Sequence, residues 1–201
     1  MEFKWNEGNI ARILAQKLFQ TDICLVPNCT WTGSETDLLV VTTDLFLIDV
    51  EIKISRTDLK NDLKKDKWWS KSYKHRVDPQ TGQRLPPEIT ERTHPYKIWK
   101  HYYAFPKDLW IDDLYASIPS ASGVLLLSHW KDHLSTADQF SVHCIRRAKP
   151  NRKATPILTE HALEIARLAN IRMWNAYKQV DVLQEELKAI NPAPTHPTTI
   201  L

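Results

Sequence analysis

Asp37, Glu51 and Lys53 are the residues whose types and spacing can do chemistry. They sit in two apolar runs, Asp37 to Val41 and Leu45 to Ile54, joined by the polar turn Thr42-Thr43-Asp44. That pattern predicts a β-hairpin. Side chains alternate along a strand, so Asp49, Glu51 and Lys53 share one face while Val50, Ile52 and Ile54 share the other. Charges at every second position of an apolar strand are costly unless something pairs with them. A loop centred on Asp44 sets Asp37 opposite Glu51, so two carboxylates meet across the ladder beside a lysine. Hard carboxylate oxygens suit a divalent cation such as Mg²⁺, and an ammonium suits a phosphate. Together they meet the requirements of metal-assisted phosphodiester hydrolysis. Asp49 lies about 7 Å further along the strand and reads as a salt-bridge partner rather than a ligand.

The flanking segments must hold this hairpin in place. Asn6 can cap a helix from Glu7 to about Gln20, with Ile10, Ile13, Leu14 and Leu18 as its apolar stripe. Glu7 falls on that inward-facing stripe, at the first turn, where the helix dipole tolerates a carboxylate. Ile23 to Val26 reads as a short strand ending at Pro27-Asn28. Ser55 looks like the cap of a second helix running toward Trp69. Between Lys53 and Arg76 nine cations face only Asp58, Asp62 and Asp66, a local excess that favours a polyanion. Ser55, Arg56, Lys60, Lys64, Lys71 and Lys74 are the candidates for contact with a nucleic-acid backbone. A solvated helix of mixed charge is the competing reading. Asp58 and Asp62 share a helix face, either as ion-pair partners of nearby lysines or, for Asp58, at the mouth of a site. Trp68, Trp69 and Tyr73 can stack bases or anchor the helix end in the core.

Val77 to Pro95 is polar, lacks apolar periodicity and reads as a long inserted loop. Strands are expected over Ile98 to Phe105, Gly123 to Ser128 and Phe140 to Ile145, with a short helix from Pro106 toward Tyr115. A long helix opens at Thr159 and can run to Leu187 before Pro192 stops it. The tail from Asn191 to Leu201 carries three prolines and is expected to be disordered. Arg146, Arg147, Lys149, Arg152 and Lys153 form a second basic cluster, a phosphate-contact patch or a solvated loop. The 201 residues with a formal charge of +3 suit one domain of about 190 residues plus that tail. No apolar run approaches the roughly 18 residues of a membrane span. Cys24, Cys29 and Cys144 are odd in number and lack metal-type spacing, so a reducing cytoplasm is expected.

With Glu7, Asp37 and Glu51-Ile52-Lys53 in hand, the chain resembles the PD-(D/E)XK nuclease superfamily. The following Ser55-Arg56-Thr57-Asp58-Leu59 and Asp62-Leu63-Lys64 resemble a subgroup in which Ser-Arg-x-Asp, then Asp and Lys, come after E-X-K. The resemblance spans most of residues 7 to 150 and departs in lacking a proline before Asp37. It implies an α/β fold with a restriction-endonuclease-like αβββαβ core, a mixed central sheet flanked by helices, and the long C-terminal helix in addition. It implies catalysis by Asp37, Glu51, Lys53 and Glu7. Mg²⁺, with Mn²⁺ as a substitute, would be held by Asp37, Glu51, the Ile52 carbonyl and Glu7. DNA is the implied substrate, in a bacterial or phage-infected cell, with no membrane and no nucleotide cofactor. Cleavage of a duplex by one site per chain would favour a homodimer. The same fold holding DNA, with cleavage lost or conditional on a partner, is the competing function, and an accidental D…EXK in an unrelated α/β protein is the other.

Overall fold

The computed structural model describes residues 3–72, 78, 80–130 and 139–190. Its chain runs α1 (Glu7–Lys17), β1 (Cys24–Cys29), β2 (Thr36–Val41), β3 (Leu47–Ile52), α2 (Arg56–Asp62), β4 (Trp69–Ser72), β5 (Glu88–Glu91), β6 (Lys100–Pro106), β7 (Gly123–His129), β8 (Phe140–Arg146) and α3 (Thr159–Ile190). Six strands form one mixed sheet in the order β1-β2-β3-β6-β7-β8, while β4 and β5 form a separate hairpin. β1, β2 and β3 make an antiparallel meander, β3-β6 and β6-β7 are parallel, and β8 closes the far edge antiparallel to β7. This is an α/β fold with a mixed sheet and a C-terminal helix. Tail residues 191–201, Tyr73 and Lys74 lie outside the described residues.

Helices cover both faces of the sheet. Asn6 caps α1, its side chain accepting from the Asn9 amide at 2.9 Å while Asn9 returns the bond. Ile10, Ile13 and Leu14 then pack on Leu38, Val40, Val50, Ile52 and Leu125. On the opposite face Ala162 and Ile165 of α3 cover Val26, Leu39, Val41 and Leu47. Beside them Leu59 of α2 and Trp68 pack against Tyr103, Phe105, Val124 and Leu126. Between these two apolar clusters runs the polar side of β3.

Several expected boundaries move for physical reasons. α1 ends at Lys17, where Leu18 leaves helical geometry. β1 continues through Pro27 to Cys29, which an edge strand permits. α2 stops at Asp62 instead of reaching Trp69, and a 3₁₀ turn at Asp66–Trp68 follows. The polar stretch before Pro95 is not structureless, since Glu88–Glu91 pairs with β4. Pro106 leads into 3₁₀ turns at Lys107–Leu109 and Asp112–Ser117.

Gly123 opens β7 where a Cβ would run into the Tyr102 ring and lie 2.7 Å from the Ala148 amide nitrogen. Gly123→Ala is therefore expected to cost about 1–3 kcal/mol, the usual penalty for overpacking a tight site. Denaturant unfolding of the variant checks this, and an unchanged midpoint would contradict the packing.

Candidate active site

The β2-β3 register pairs Leu38 with Val50 and Leu39 with Asp49. One step further it sets Asp37 beside Glu51, as the hairpin spacing predicts. Asp37 Oδ2 accepts a 2.7 Å hydrogen bond from the Ile52 amide, which fixes the carboxylate at the strand end. β3 is buried along its whole length, and Asp49, Glu51 and Lys53 are 0, 0 and 2% exposed. Three charged residues in a central strand demand partners, and the crossover that follows supplies them.

Lys53 Nζ lies 2.8 Å from Glu51 Oε2, 3.5 Å from Asp62 Oδ1, 3.6 Å from Asp37 Oδ2 and 3.9 Å from Asp58 Oδ2. Lys67 Nζ, fully buried, sits 2.6 Å from Glu51 Oε1 and 3.3 Å from Asp62 Oδ2. Lys65, half-exposed, reaches Asp62 Oδ1 at 2.8 Å and Glu51 Oε2 at 3.5 Å. The Tyr103 hydroxyl donates to Asp62 Oδ2 at 2.7 Å. Glu51 and Asp62 are thus each held among the same three ammonium groups. Deeper on the same face, Asp49 Oδ2 lies 3.7 Å from His101 Nε2, and His101 Nδ1 meets Ser122 Oγ at 2.9 Å.

Burial and these neighbours set the protonation states. Desolvation, then the Glu51 charge, lift the Asp37 carboxyl to about 6, against the opposing pull of Lys53 and the Ile52 amide. Burial alone would lift Asp62 too, but Lys67 and Lys53 outweigh it and hold the group well below the usual carboxylate range. Lys53 is held above the ordinary lysine range, because Glu51 and Asp62 overcome the downward push of burial. Burial raises Asp49 well above its ordinary value and drives His101 well below its own. Both shifts favour the uncharged forms of this pair, so burial works against the salt bridge that the sequence suggests for Asp49.

Other sequence candidates fall in varied places. Glu7 lies on the first turn of α1 but is exposed, not on the inward stripe. It is within electrostatic reach of Asp37 and adds to the lift of that carboxyl. Ser55 caps α2, accepting from the Asp58 amide at 3.2 Å. Arg56 is exposed and donates to the Leu109 carbonyl at 3.2 Å, Lys60 and Lys64 are exposed, and exposed Lys71 lies 3.4 Å from Asp66. Asp58 stands at the mouth of the cluster, 38% exposed, whereas Asp62 is enclosed within it. Trp68 is buried against His101, so it anchors the turn, while Trp69 is exposed. Arg146 is structural, donating to the Ser122 and Pro119 carbonyls. Lys65, Lys67, His101 and Tyr103 are the participants that sequence reasoning missed.

Asp37, Glu51 and the Ile52 carbonyl are hard oxygen donors of the kind Mg²⁺ takes while keeping several waters. Burial lifts Asp37 most and the Glu51 charge adds to it; a divalent cation would offset both. Among the described residues no three acidic, histidine or cysteine side chains converge as a ready metal cage. A cation here would rest on two carboxylates, a carbonyl and water.

No family model matches this chain, and no curated protein does. The solved structure of SPO1766, a protein of unknown function from Silicibacter pomeroyi, is similar at 15% identity and a TM-score of 0.49. The match covers 98% of this chain and 100% of that one. A likeness at that level says nothing about activity.

Two outcomes follow from the buried charges. In the folded chain Asp37 keeps its proton up to about pH 6, whereas unfolded it loses it near 4, so ionising it costs stability as pH rises through that window. Asp37→Asn, compared with the parent in EDTA, should be indifferent near pH 4 and more stable above pH 6 by about 2–3 kcal/mol. Thermal melts across that range decide it, and a gain that shrinks with pH would contradict the assignment. Lys67→Met leaves Glu51 and Asp62 short of a buried cation and should cost about 3–5 kcal/mol, whereas half-exposed Lys65→Met should cost about 1 kcal/mol or less. Equal losses in urea unfolding would show that burial does not rank the two lysines.

Proposed function

We propose that this chain is a Mg²⁺-dependent deoxyribonuclease of the PD-(D/E)XK type, hydrolysing DNA phosphodiester bonds on a restriction-endonuclease-like core. The observation that carries this reading is the juxtaposition of Asp37 and Glu51 across the β2-β3 ladder, with Lys53 Nζ 3.6 Å from the first and 2.8 Å from the second. Asp37, Glu51 and the Ile52 carbonyl would hold Mg²⁺, or Mn²⁺ in its place, and Glu7, within electrostatic reach of Asp37, would hold a coordinated water. When bound, the metal polarises the scissile phosphate and lowers the pKa of a bound water.

The chain's own residues do the rest. Lys53 is held protonated by its carboxylate neighbours, so it acts as a donor: it orients the attacking water or stabilises charge developing on the phosphoryl oxygens. Lys65, half-exposed beside Asp62, would meet a non-bridging phosphate oxygen. Exposed Arg56, Lys60 and Lys64 offer a path for the DNA backbone along and beyond α2.

A second reading draws on a specific observation. Both oxygens of Glu51 lie in ion pairs, Oε2 with Lys53 and Lys65 and Oε1 with Lys67. A site already neutralised by its own lysines suits a DNA-binding module whose cleavage waits on a partner. Supercoiled plasmid incubated with Mg²⁺ or Mn²⁺ separates the two, since only the nuclease nicks or linearises it unaided. Asp37→Ala and the isosteric Glu51→Gln should each lower cleavage by at least about a hundredfold, with circular dichroism confirming that Glu51→Gln, which strands buried lysines, is still folded under the assay conditions. Lys53→Ala should lose most turnover but little DNA affinity, because one cation among many adds little to binding while a positioned donor contributes a few kcal/mol to the transition state. Equal losses of rate and affinity in Lys53→Ala would reduce that residue to a backbone contact.

A further inference from the structure

α3 is 32 residues long, yet only Ala162 and Ile165 are buried, with Ala166, Leu168 and Ala169 partly so. Arg172 makes the helix's last tether, donating to the Asn28 carbonyl at the end of β1, the edge strand. The remaining turns are exposed from Met173 to Ile190. A free helical extension gains little from propensity alone and normally owes its stability to a covered apolar face.

Such a face is present. Met173, Ala176, Val180, Leu183, Leu187 and Ile190 recur at alternating steps of three and four residues. That is the 3.5-residue seam of a helix that packs on another helix, rather than on a sheet. It continues the line of Ala162, Ala166 and Ala169, which sit on the chain's own core. Past the sheet edge, the same line meets solvent. Met173, Val180, Leu183, Leu187 and Ile190 are 44, 46, 58, 59 and 75% exposed. With Tyr177 on the flank they offer roughly 600 Å² per chain, close to the ~800 Å² that each partner gives a standard interface.

We propose that the free part of α3 is a dimer interface, packing antiparallel against the same segment of a second copy of this chain. Charge and volume both select that arrangement. Arg172 and Lys178 make the first part of the segment basic, while Asp181, Glu185 and Glu186 outweigh Lys188 in the second. Antiparallel packing brings the basic part of one copy to the acidic part of the other, whereas parallel packing sets like against like. It also layers Met173 on Ile190, Ala176 on Leu187 and Val180 on Leu183, so the small Ala176 always meets a large residue. A parallel pair would instead stack Ala176 on itself and leave a gap. The two sheets then lie at opposite ends of the helix pair and do not collide. This inference stands independently of the nuclease reading, since none of its residues belongs to the Asp37–Glu51 site.

Sedimentation equilibrium on the full chain should show a monomer–dimer equilibrium in the micromolar range. Val180→Glu with Leu187→Glu should shift it to monomer at least a hundredfold, while thermal unfolding of the sheet core is unchanged because both positions lie outside that core. Orientation is read from a nitroxide at Arg167→Cys, with exposed Cys144 replaced by Ser. The labels should lie about 44 Å apart along the axis in the antiparallel pair, against less than about 20 Å in a parallel one. A chain that stays monomeric at ~100 µM, a dimer that survives the double substitution, or a short label distance each overturns the proposal.

Discussion

Everything on one side of the sheet answers to the burial of Glu51 and Lys53 in a central strand. Removing a charge from water costs several kcal/mol even after relaxation, and the cost is offset only by close, well-satisfied partners. Lys53 and Glu51 satisfy each other at 2.8 Å but leave oxygens and protons over. Asp62 and Lys67 complete the set, and each is as buried as the pair it serves. The Tyr103 hydroxyl then fixes Asp62 from the neighbouring strand. A network of this kind adds little net stability over an apolar core, but the loss of one member strands the others. It therefore fixes where α2 and the following turn must lie.

The topology delivers those partners. β3 and β6 are parallel neighbours, so the chain must leave the end of β3, cross a face of the sheet and return to the start of β6. Residues 53–99 make that crossing, and they carry Asp58, Asp62, Lys65 and Lys67 over the polar side of β3. Ser55 starts α2 immediately after Lys53, which aims Asp58 and Asp62 back at the strand end. Leu59 and Trp68 seat the crossing on Tyr103 and Phe105. The β4-β5 hairpin adds a clamp, since the Arg92 amide donates to the Trp68 carbonyl at 2.8 Å and braces the turn that holds Lys67. The crossover is thus both the lid of the core and the source of the counter-charges.

How far this was legible in the sequence depends on whether the deciding interactions are local. The Asp37–Glu51 juxtaposition was readable because turn length fixes hairpin register, and register fixes which side chains meet. The cap at Asn6, the cap at Ser55 and the start of α3 at Thr159 were readable for the same reason. Lys67 and His101 were not, because their partners come from distant strands and a lone lysine or histidine carries no periodicity. For Asp49 the face was readable, but not the full burial that pushes its carboxyl up and the facing His101 imidazole down. Glu7 was misplaced because the first turn of α1 is not covered by the sheet, burial beginning only at Ile10. β5 was missed because all four of its residues are exposed, so no apolar alternation announced it.

The three lysines around Glu51 are not equivalent, and their difference in exposure separates structure from exchange. Lys67 is almost wholly buried, so its charge belongs to the fold. Lys53 is nearly as buried and is shared among four carboxylates, so it can change its closest partner without leaving. Lys65 alone is half in solvent, and its ion pairs with Asp62 and Glu51 trade readily against water or another anion. On the proposed reading, a cation arriving between Asp37 and Glu51 would displace the most weakly held ammonium first. A DNA phosphate would offer that ammonium a new partner at the same opening. Metal and backbone would then favour each other's binding through one lysine, while the buried part of the network holds the sheet unchanged.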